Sequence, residues 1–476
     1  MSNEVTAAEA AEAAQPDGAV LVGEGAHTPI SNGYRTYILV VMTLVYVINY
    51  LDRQIFGILV PGIKADFGLT NAEIGVLAGP AFAVIYATLG IPLAMLADRM
   101  NRRNIVAVAL TVFSLMTVLC GRAMNFWQLG FARFGTGIGE AGTGPAINSM
   151  LADLYPPEKR ASALAFYSAG LNIGLLVAFF SGGWVMEHYG WRNAFLAAGI
   201  PGLFVALLVL FTVREPQRGQ VEKLKDPKLT PSIYTVAKYL WSQKSFRWMA
   251  IGTSFSSFGG YAGIAFVPLF LATSHHLTPS EIGFFLALLT GVFGAIGTYL
   301  SGVFADRFGA RDIRASLYIP IVATFISVCF APIYFLTPAE GNALILSILP
   351  ATVSVHLPWG AVFTVGAGTA VVLMAAAGPS LTGASYVGPA YALTQGLVPL
   401  RMRAQAIAIL LFVLNILGLS FGPLVVGIIA DALKPTFGPD ALRYALMTGI
   451  VTGLIGAFCY WRATKHLKAD LARVER

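Results

Sequence analysis

Long apolar segments recur along the whole chain, and short polar loops separate most of them. A helix needs about 20 mostly apolar residues to cross a bilayer. Twelve segments reach that length, in two groups of six with a basic linker between the groups. They run approximately over residues 36–61, 74–97, 104–122, 127–151, 161–184, 193–213, 248–272, 282–305, 315–336, 371–396, 404–430 and 444–462. The sequence therefore predicts an all-α membrane protein with twelve transmembrane helices in two six-helix halves.

The composition agrees with a chain that is mostly embedded in lipid. Charged residues make up 12% of the chain and hydrophobic residues 56%, whereas soluble domains carry about 25% charged residues. The net charge of +7 comes from Lys and Arg spread over short loops, a pattern typical of cytoplasmic loops rather than of a nucleic-acid-binding surface. We therefore expect an integral protein of the plasma (inner) membrane, with both termini cytoplasmic and no nucleic-acid partner.

The apolar segments divide the chain into five regions. The first region lacks the basic start and cleavage site of a signal peptide, and its composition predicts a disordered tail. In the linker, "PSIYTVAKYLWSQKSF" fits a short amphipathic helix at the membrane surface. The predicted regions are an N-terminal tail (1–35), an N-terminal half (36–213), a cytoplasmic linker (214–247), a C-terminal half (248–462) and a cytoplasmic C-terminal tail (463–476).

The two halves repeat each other at two places. "LADRMNRR" (96–103) matches "FADRFGARD" (304–312), and "GPAINSMLADLYPPEKRASA" (144–163) matches "GPAYALTQGLVPLRMRAQA" (388–406). The first pair is offset by 208 residues and the second by 243 or 244, so about 35 residues are inserted near 337–370 on the outer side. This apolar insert either extends the tenth helix outward or forms a hairpin on the outer face. Two repeated six-helix halves predict a rocking transporter with its site between them.

Charged residues cluster at helix ends on the predicted cytoplasmic face, at the same place in both halves. An acid and several bases there favour a charge network that locks one half against the other, although surface charge that only sets orientation is the alternative. Neither interpretation makes these residues a substrate site. The predicted gating residues are Asp98, Arg99, Arg102, Arg103, Asp306, Arg307, Arg311 and Arg160.

Four ionisable residues lie within the apolar segments: Asp52, Arg53, Arg133 and Glu140. A charge at the bilayer centre costs about 2.5–3.5 kcal/mol on insertion scales and is usually paired and functional. The depths of these residues allow either an Asp52–Arg133 or an Arg53–Glu140 pair between the first and fourth helices. A permanent structural salt bridge is one interpretation. The other is that Asp52 or Glu140 binds a proton while Arg53 or Arg133 binds an anion.

The C-terminal spans contain small and aromatic residues in place of charges, as in "GTSFSSFGGYAGIAFVPLF" (252–270) and "LLFVLNILGLSFGP" (410–423). A cavity with one charged wall and one apolar wall suits an amphipathic solute. The small residues also fit ordinary helix packing. We expect a substrate site formed by Arg53, Arg133, Tyr50, Ser257, Tyr261 and Asn415.

Other chemistries find little support in the sequence. The cysteines Cys120, Cys329 and Cys459 lie in separate apolar segments without metal-ligand spacing, and the six histidines form no ligand set. No hydrolase triad or phosphate-binding loop is present. We therefore predict no metal, no cofactor and no enzymatic activity.

Two motifs resemble those of a known family. "GVFADRFGARD" and, less exactly, "ADRMNRR" resemble the loop signature of the major facilitator superfamily, and "RFGTGIGEAG" resembles its fourth-span motif. The first loop copy departs from the signature at Ala94 and Asn101, where glycines are usual. The resemblance covers essentially the whole folded chain and implies the fold of that superfamily.

"NYLDR" in the first span and "GIGEA" in the fourth resemble the Spinster branch, whose animal members export sphingosine-1-phosphate or lysophospholipids. The resemblance implies that Asp52, Arg53, Arg133 and Glu140 form the polar site that couples protons to transport. Organic anion:cation symporters of the same superfamily also carry "NYLDR" and a motif like "EAGTGP". The fifth span lacks the proline typical of drug antiporters, which counts against drug efflux.

The sequence as a whole favours a proton-coupled, alternating-access transporter of amphipathic anionic lipids, such as a lysophospholipid or a sphingosine-1-phosphate-like molecule. Its expected partners are that substrate, protons and the bilayer, and we expect a monomer. Alternatives within transport are an organic anion/H⁺ symporter and a multidrug transporter. A receptor or a lipid scramblase on the same scaffold is a further alternative.

Overall fold

The structure is a computed structural model, and it describes residues 31–97, 99–218, 232–356, 362–399 and 402–474. Most of the predicted N-terminal tail, much of the linker and the predicted gating residue Asp98 lie outside the described residues. We call the side where the first helix begins and the last helix ends the inner side, and the opposite side the outer side.

The N-terminal half consists of six helices, several of which begin at a polar cap. Ser31 and Asn101 accept a hydrogen bond from the first turn of the helices that follow them, as N-cap residues do. At Gly190, φ is 83°, which divides the longest helix into two spans. The helices are α1 (Asn32–Phe67), α2 (Asn71–Ala78), α3 (Pro80–Ala97), α4 (Arg102–Arg122), α5 (Phe126–Leu154) and α6 (Pro157–Thr212).

The C-terminal half has shorter helical pieces joined by irregular turns. After the linker helix α7 (Ile233–Ser242), the chain forms α8 (Lys244–Ser274), α9 (Pro279–Leu286), a π-helical turn (Ala287–Phe293), α10 (Gly294–Gly309) and α11 (Ala315–Leu336). Beyond the insert come α13 (Ala367–Ala375), α14 (Ala377–Thr382), α15 (Val387–Gly396), α16 (Arg403–Leu414), a second π-helical turn (Asn415–Ser420), α17 (Phe421–Phe437), a 3₁₀ turn (Gly438–Asp440), α18 (Ala441–Leu446) and α19 (Thr448–Val474).

Nine helical segments of the described chain are long and apolar enough to cross a membrane. Two of them, Ser162–Thr212 and Arg403–Arg473, are long enough to hold two crossings each. The less apolar α5, which carries Arg133 and Glu140, is not among the nine. This arrangement is consistent with the predicted twelve helices.

The outer insert folds as a hairpin with a short helix before it. The helix α12 (Ala343–Ile348) precedes strands β1 (Thr352–His356) and β2 (Val362–Gly366), which pair antiparallel with Thr352 opposite Gly366. Of the two predicted forms of the insert, the structure therefore contains the hairpin. Phe363 of β2 packs against Phe284 and Phe285 of α9, so the hairpin contacts the second half on its outer side.

The hydrophobic core is continuous across the two halves on the outer side and divided on the inner side. One cluster combines buried residues of α1, α2 and α6 with those of α8, α9 and α17. Towards the inner side, one cluster contains residues of the N-terminal half, and a separate cluster contains residues of the C-terminal half. The buried core is therefore shared by the two halves at the outer side and divided between them at the inner side, as expected of a transporter that is open to the inner side.

Candidate functional site

Arg53 on α1 and Glu140 on α5 form a buried ion pair near the junction of the halves. Arg53 Nη2 lies 2.6 Å from Glu140 Oε1, and Arg53 Nε donates to Oε2 at 3.3 Å. Both side chains are less than a tenth exposed. A two-pronged contact between guanidinium and carboxylate is directional as well as strong. Of the two predicted pairings, the structure contains this one.

Aromatic rings surround the guanidinium of Arg53. Its Cζ lies 4.7 Å from the centre of the Tyr86 ring, 5.1 Å from Phe82 and 5.5 Å from Tyr50. Such cation–π contacts stabilise a desolvated cation by about 2 kcal/mol or more. The predicted site residue Tyr50 is thus in direct contact with Arg53, which is held by one carboxylate and three rings.

Asp52, one residue before Arg53, faces a different helix. Thr117 on α4 donates to Asp52 Oδ2 at 2.9 Å, while Oδ1 has no hydrogen-bond partner among the described residues. The residue is 2% exposed. A buried carboxylate with one donor is poorly compensated when ionised and well suited to carry a proton. Two consecutive residues of α1 therefore contact different helices: the carboxylate of Asp52 contacts α4, and the guanidinium of Arg53 contacts α5.

Arg133 on α5 is buried without a carboxylate partner. Among the described residues no carboxylate oxygen lies within ion-pair distance of its guanidinium, which instead lies 4.6 Å from the Phe56 ring and 5.2 Å from Phe82. Its Nε donates to the Leu77 carbonyl at 3.4 Å. The predicted Asp52–Arg133 pair is therefore absent from the described structure, and the positive charge is held by aromatic faces.

The C-terminal half places tyrosines opposite this charged group. Tyr261 on α8 is partly buried against the cluster of Phe82, Ala83 and Leu419, and it lies within electrostatic range of Arg53. Tyr391 on α15 lies within the same range of Tyr50, Tyr86 and Tyr261. The wall that was predicted to be apolar therefore carries phenol hydroxyls, and Tyr391 was missed because a lone tyrosine in an apolar helix is an ordinary feature.

The two remaining predicted site residues occupy packing positions. Ser257 is 1% exposed and donates to its own helix at the Ser254 carbonyl, 2.9 Å away. It lies against Gly418, where a methyl group would approach Ser257 Oγ to 2.1 Å. Asn415 is 7% exposed and begins the π-helical turn before α17. Neither residue reaches the Arg53–Glu140 pair directly in this conformation.

An apolar crevice of about 350 Å³ lies between α6 and the π-helical turn after α9, at a junction of the two halves. Its walls carry no charged side chain and are formed by Leu176, Val177, Phe180, Phe284, Ala287, Leu288 and Val292. The crevice can accommodate an aliphatic chain but offers it no polar partner.

The predicted gating residues of the first loop form a network within their own half. Arg102 is fully buried; its Nε donates to Glu215 Oε1 at 2.7 Å, and its Nη1 bonds Ser149 and pairs with Asp153. Arg103 N donates to Glu215 Oε2 at 2.8 Å. Glu215, which lies just after the last helix of the half, was not predicted, because no motif or repeat marks it.

The other gating residues are more exposed. Arg99, Asp306, Arg307 and Arg311 have exposed side chains at inner helix ends, and Arg160 Nη2 donates to the Ala152 carbonyl at 2.8 Å. The second loop is ordered instead by a residue that was not predicted. Asp312 pairs with Arg314 at 2.8 Å and with Lys468 at 3.3 Å, and the hydrogen bond from Arg314 holds the pKa of its carboxyl well below the usual range.

This fold and buried site define a class of membrane transporter. The sequence pattern of the Major Facilitator Superfamily matches residues 42–395, and the chain belongs to that family. It is therefore a transporter and not an enzyme, and the prediction of the family from the loop motifs is confirmed.

Three similar proteins indicate the branch of the superfamily to which the chain is related. An MFS-type efflux pump of Mycolicibacterium smegmatis is 32% identical over 92% of this chain and 94% of its own length. A cis,cis-muconate transport protein of Acinetobacter baylyi is 29% identical over 59% of this chain and 70% of its own length. The crystal structure of a bacterial homolog to the human lysosomal transporter Spinster, inward-facing and unoccupied, superposes with a TM-score of 0.78 at 28% identity, covering 92% of this chain and 99% of that one. The chain is a Spinster-like member of the superfamily.

Proposed function

We propose that the protein is a proton-coupled transporter of amphipathic anionic lipids, with Asp52 and Glu140 as proton sites and Arg53 as the anion site. The observation that carries the proposal is the arrangement on α1: a buried carboxylate with one oxygen to which no described residue bonds, next to a guanidinium held by Glu140. Protonation of Glu140 would weaken its pair with Arg53 and free the guanidinium for a phosphate or carboxylate. Proton binding and anion binding are thereby linked at one pair.

The amphipathic character of the substrate rests on the rings beside this pair and on an apolar crevice at another place on the junction of the halves. The rings of Phe82, Tyr86 and Tyr261 provide an apolar but hydroxyl-edged lining beside Arg53. The apolar crevice between α6 and α9 provides a place for an aliphatic tail at a junction of the halves. A headgroup on Arg53 and a tail along apolar walls is the binding mode that these two features favour.

A transport assay with two competitors tests the substrate class. The purified protein is reconstituted in liposomes, and flux of a labelled lysophosphatidylglycerol is followed with and without an imposed pH gradient. We expect gradient-driven flux that unlabelled lysolipid inhibits and muconate does not. Absence of lysolipid flux under a gradient would overturn the lipid proposal, and flux independent of the gradient would favour a scramblase.

A second candidate is a symporter of protons with small organic anions. It is favoured by the tyrosine hydroxyls that both halves direct towards the Arg53 region, since a compact polar anion needs donors on both walls. The similarity to the muconate transport protein supports the same candidate. In the assay above, this function predicts gradient-driven flux of labelled muconate and no flux of lysolipid.

A further inference from the structure

Two helices that begin on the outer side start with the same sequence pattern. "LTNAEIG" (69–75) opens α2, and "LTPSEIG" (277–283) opens α9, at the 208-residue offset that relates the first pair of repeats. In each copy the threonine is the N-cap and the glutamate completes a capping box, Thr70 with Glu73 and Thr278 with Glu281. A capping box satisfies two of the four N–H groups that a helix start leaves without partners.

In α2, the two N–H groups that the capping box leaves unbonded are satisfied from the other half of the protein. Asp431 on α17 accepts the N–H of Asn71 at 3.0 Å and the N–H of Ala72 at 2.7 Å. It also accepts the Asn71 side-chain amide at 2.8 Å. Every N–H of this helix start is thus bonded, half of them by a carboxylate that belongs to the C-terminal half.

In α9 the same arrangement occurs with the halves exchanged. Proline at 279 has no N–H to satisfy, so Ser280 carries the one remaining donor. Glu187 on α6, in the N-terminal half, accepts this N–H at 2.8 Å. Glu187 and Asp431 are 244 residues apart, which is the offset of the second pair of repeats. The two caps are therefore related by the internal repeat of the fold.

Glycines bring the backbones together beside each cap. A methyl group on Gly75 would lie 2.5 Å from the Pro423 carbonyl oxygen, and one on Gly283 would lie 2.3 Å from that of Phe179. A methyl group on Gly427 would lie 2.3 Å from the Asn71 carbonyl oxygen. Such direct backbone contact, together with the shared outer core, means that α2–α17 and α9–α6 cannot part without breaking both caps.

We propose that Asp431 and Glu187 are a pair of latches that hold the outer side closed and that release when the transporter opens outward. A carboxylate at a helix N-terminus is stabilised by charge-assisted hydrogen bonds and by the helix dipole. Water can replace the carboxylate at a freed helix start, while the local capping boxes of Thr70 and Thr278 keep both helices intact. The latches therefore bias the equilibrium between conformations without being required for the helices to form.

The two latches differ in strength. Asp431 makes three hydrogen bonds and is partly buried, whereas Glu187 makes its bond to Ser280 from an exposed position. Solvent screening weakens exposed charge interactions. Removal of Asp431 is therefore expected to open the outer side more than removal of Glu187.

A distance measurement across the outer side tests the proposal independently of substrate. Spin labels are attached at Met124→Cys and Thr436→Cys, exposed outer positions of the two halves, in a Cys329→Ser background, because Cys120 and Cys459 are buried. Pulsed electron spin resonance then gives the populations of the closed and open outer side. We expect Asp431→Ala to raise the ratio of open to closed about tenfold, Glu187→Ala to raise it less, and the double variant to combine the two factors.

Asp440→Ala is the matched control, because Asp440 is an outer carboxylate that pairs with Arg443 of its own half. It should leave the distance distribution as in the parent. Asp431→Asn keeps the side-chain shape and replaces Asp431→Ala if the alanine variant does not purify, with a smaller shift in the same direction. Parent-like distributions in both latch variants, or an equal shift in Asp440→Ala, would overturn the proposal.

Discussion

Arg53 on α1 and Glu140 on α5 are joined by two contacts, at 2.6 Å and 3.3 Å, in a pocket that excludes most solvent. The pair crosses from the first helix of the N-terminal half to the helix that faces it, and the Arg53 side chain also meets rings at the junction with the C-terminal half. A rearrangement of the two halves would therefore change the surroundings of this ion pair.

Removal of one member of the pair should be more damaging than removal of both charges. Glu140→Gln leaves the buried guanidinium of Arg53 without its carboxylate, and breaking a buried ion pair in this way costs about 3–5 kcal/mol. We expect Glu140→Gln to lower the thermal midpoint in detergent and to abolish gradient-driven transport. The double variant Arg53→Met, Glu140→Gln should recover much of the midpoint but none of the transport; a double variant that transports would show that the pair is only structural.

The hydroxyl of Thr117 is the described donor to Asp52, so Thr117→Val tests the role of that carboxylate with almost no change in shape. Without the donor, the ionised carboxylate loses stabilisation, and the pH profile of transport should move towards higher pH by about one unit. Thr111→Val is the matched control, because Thr111 on the same helix bonds, among the described residues, to its own helix at the Ala107 carbonyl. An unchanged profile in Thr117→Val would remove Asp52 from the coupling mechanism.

Substitution of Arg102 at the inner end of α4 should lower the free energy of unfolding much more than substitution of the adjacent Arg103. Arg102→Met removes the buried guanidinium that contacts Asp153 and Glu215, with a loss of about 1.5–3 kcal/mol. Arg103 bonds through its side chain mainly to the neighbouring Asn104, so Arg103→Met should change stability by about 0.5 kcal/mol or less. Thermal unfolding of the two variants side by side, by intrinsic fluorescence, checks this difference; equal midpoints would contradict the network.

His275, in the outer loop before α9, makes the free energy of unfolding depend on pH. Burial, with Arg443 and His276 nearby, lowers the pKa of His275 to about 4, and its Nδ1 lies 3.0 Å from Thr369 Oγ1. Because the unfolded chain takes up this proton near pH 6.5, stability is fully present above that pH and falls as the pH drops towards 4. His275→Asn should flatten the thermal midpoint between pH 6.5 and 4.5; a slope equal to that of the parent would assign the dependence to other groups.

The buried charges could be found from the sequence because an ionisable residue in an apolar helix is costly and therefore conspicuous. Their partners could not be chosen, since helical rise gives depth along the helix but not its rotation about its own axis. Asp52 and Arg53 are consecutive and so point about 100° apart, which sends one to α4 and the other to α5. Only tertiary packing decides which side chain meets Glu140.

The latch residues were missed for a different reason. Asp431 and Glu187 lie at outer helix ends, where acids normally face water and carry no signal. The repeated "LTNAEIG" and "LTPSEIG" segments, with Thr and Glu three residues apart, were the available signal for two capped helix starts. Even so, a capping box predicts the local helix start and says nothing about a carboxylate supplied from the other half.

The C-terminal wall was predicted as apolar because its helices carry no charges; Tyr261 was nevertheless predicted as a site residue, whereas Tyr391 was missed. Tyr261 and Tyr391 count as hydrophobic residues in a composition, yet the phenol of Tyr261 lies within electrostatic range of Arg53, and that of Tyr391 within the same range of Tyr50, Tyr86 and Tyr261. The amphipathic nature of a tyrosine makes its role depend on which end faces the cavity. That orientation is a tertiary property, which a pattern of residues along the chain does not specify.

Asp52 is proposed to couple proton movement to substrate movement, and a comparison of the parent with Asp52→Asn in liposomes tests this role. Flux of the labelled lysolipid is recorded with and without a pH gradient, and equilibrium binding of the same lipid is measured in detergent. We expect Asp52→Asn to bind the lipid as the parent does but to lose the gradient-driven flux. Intact gradient-driven flux in Asp52→Asn would show that Asp52 does not take part in proton coupling.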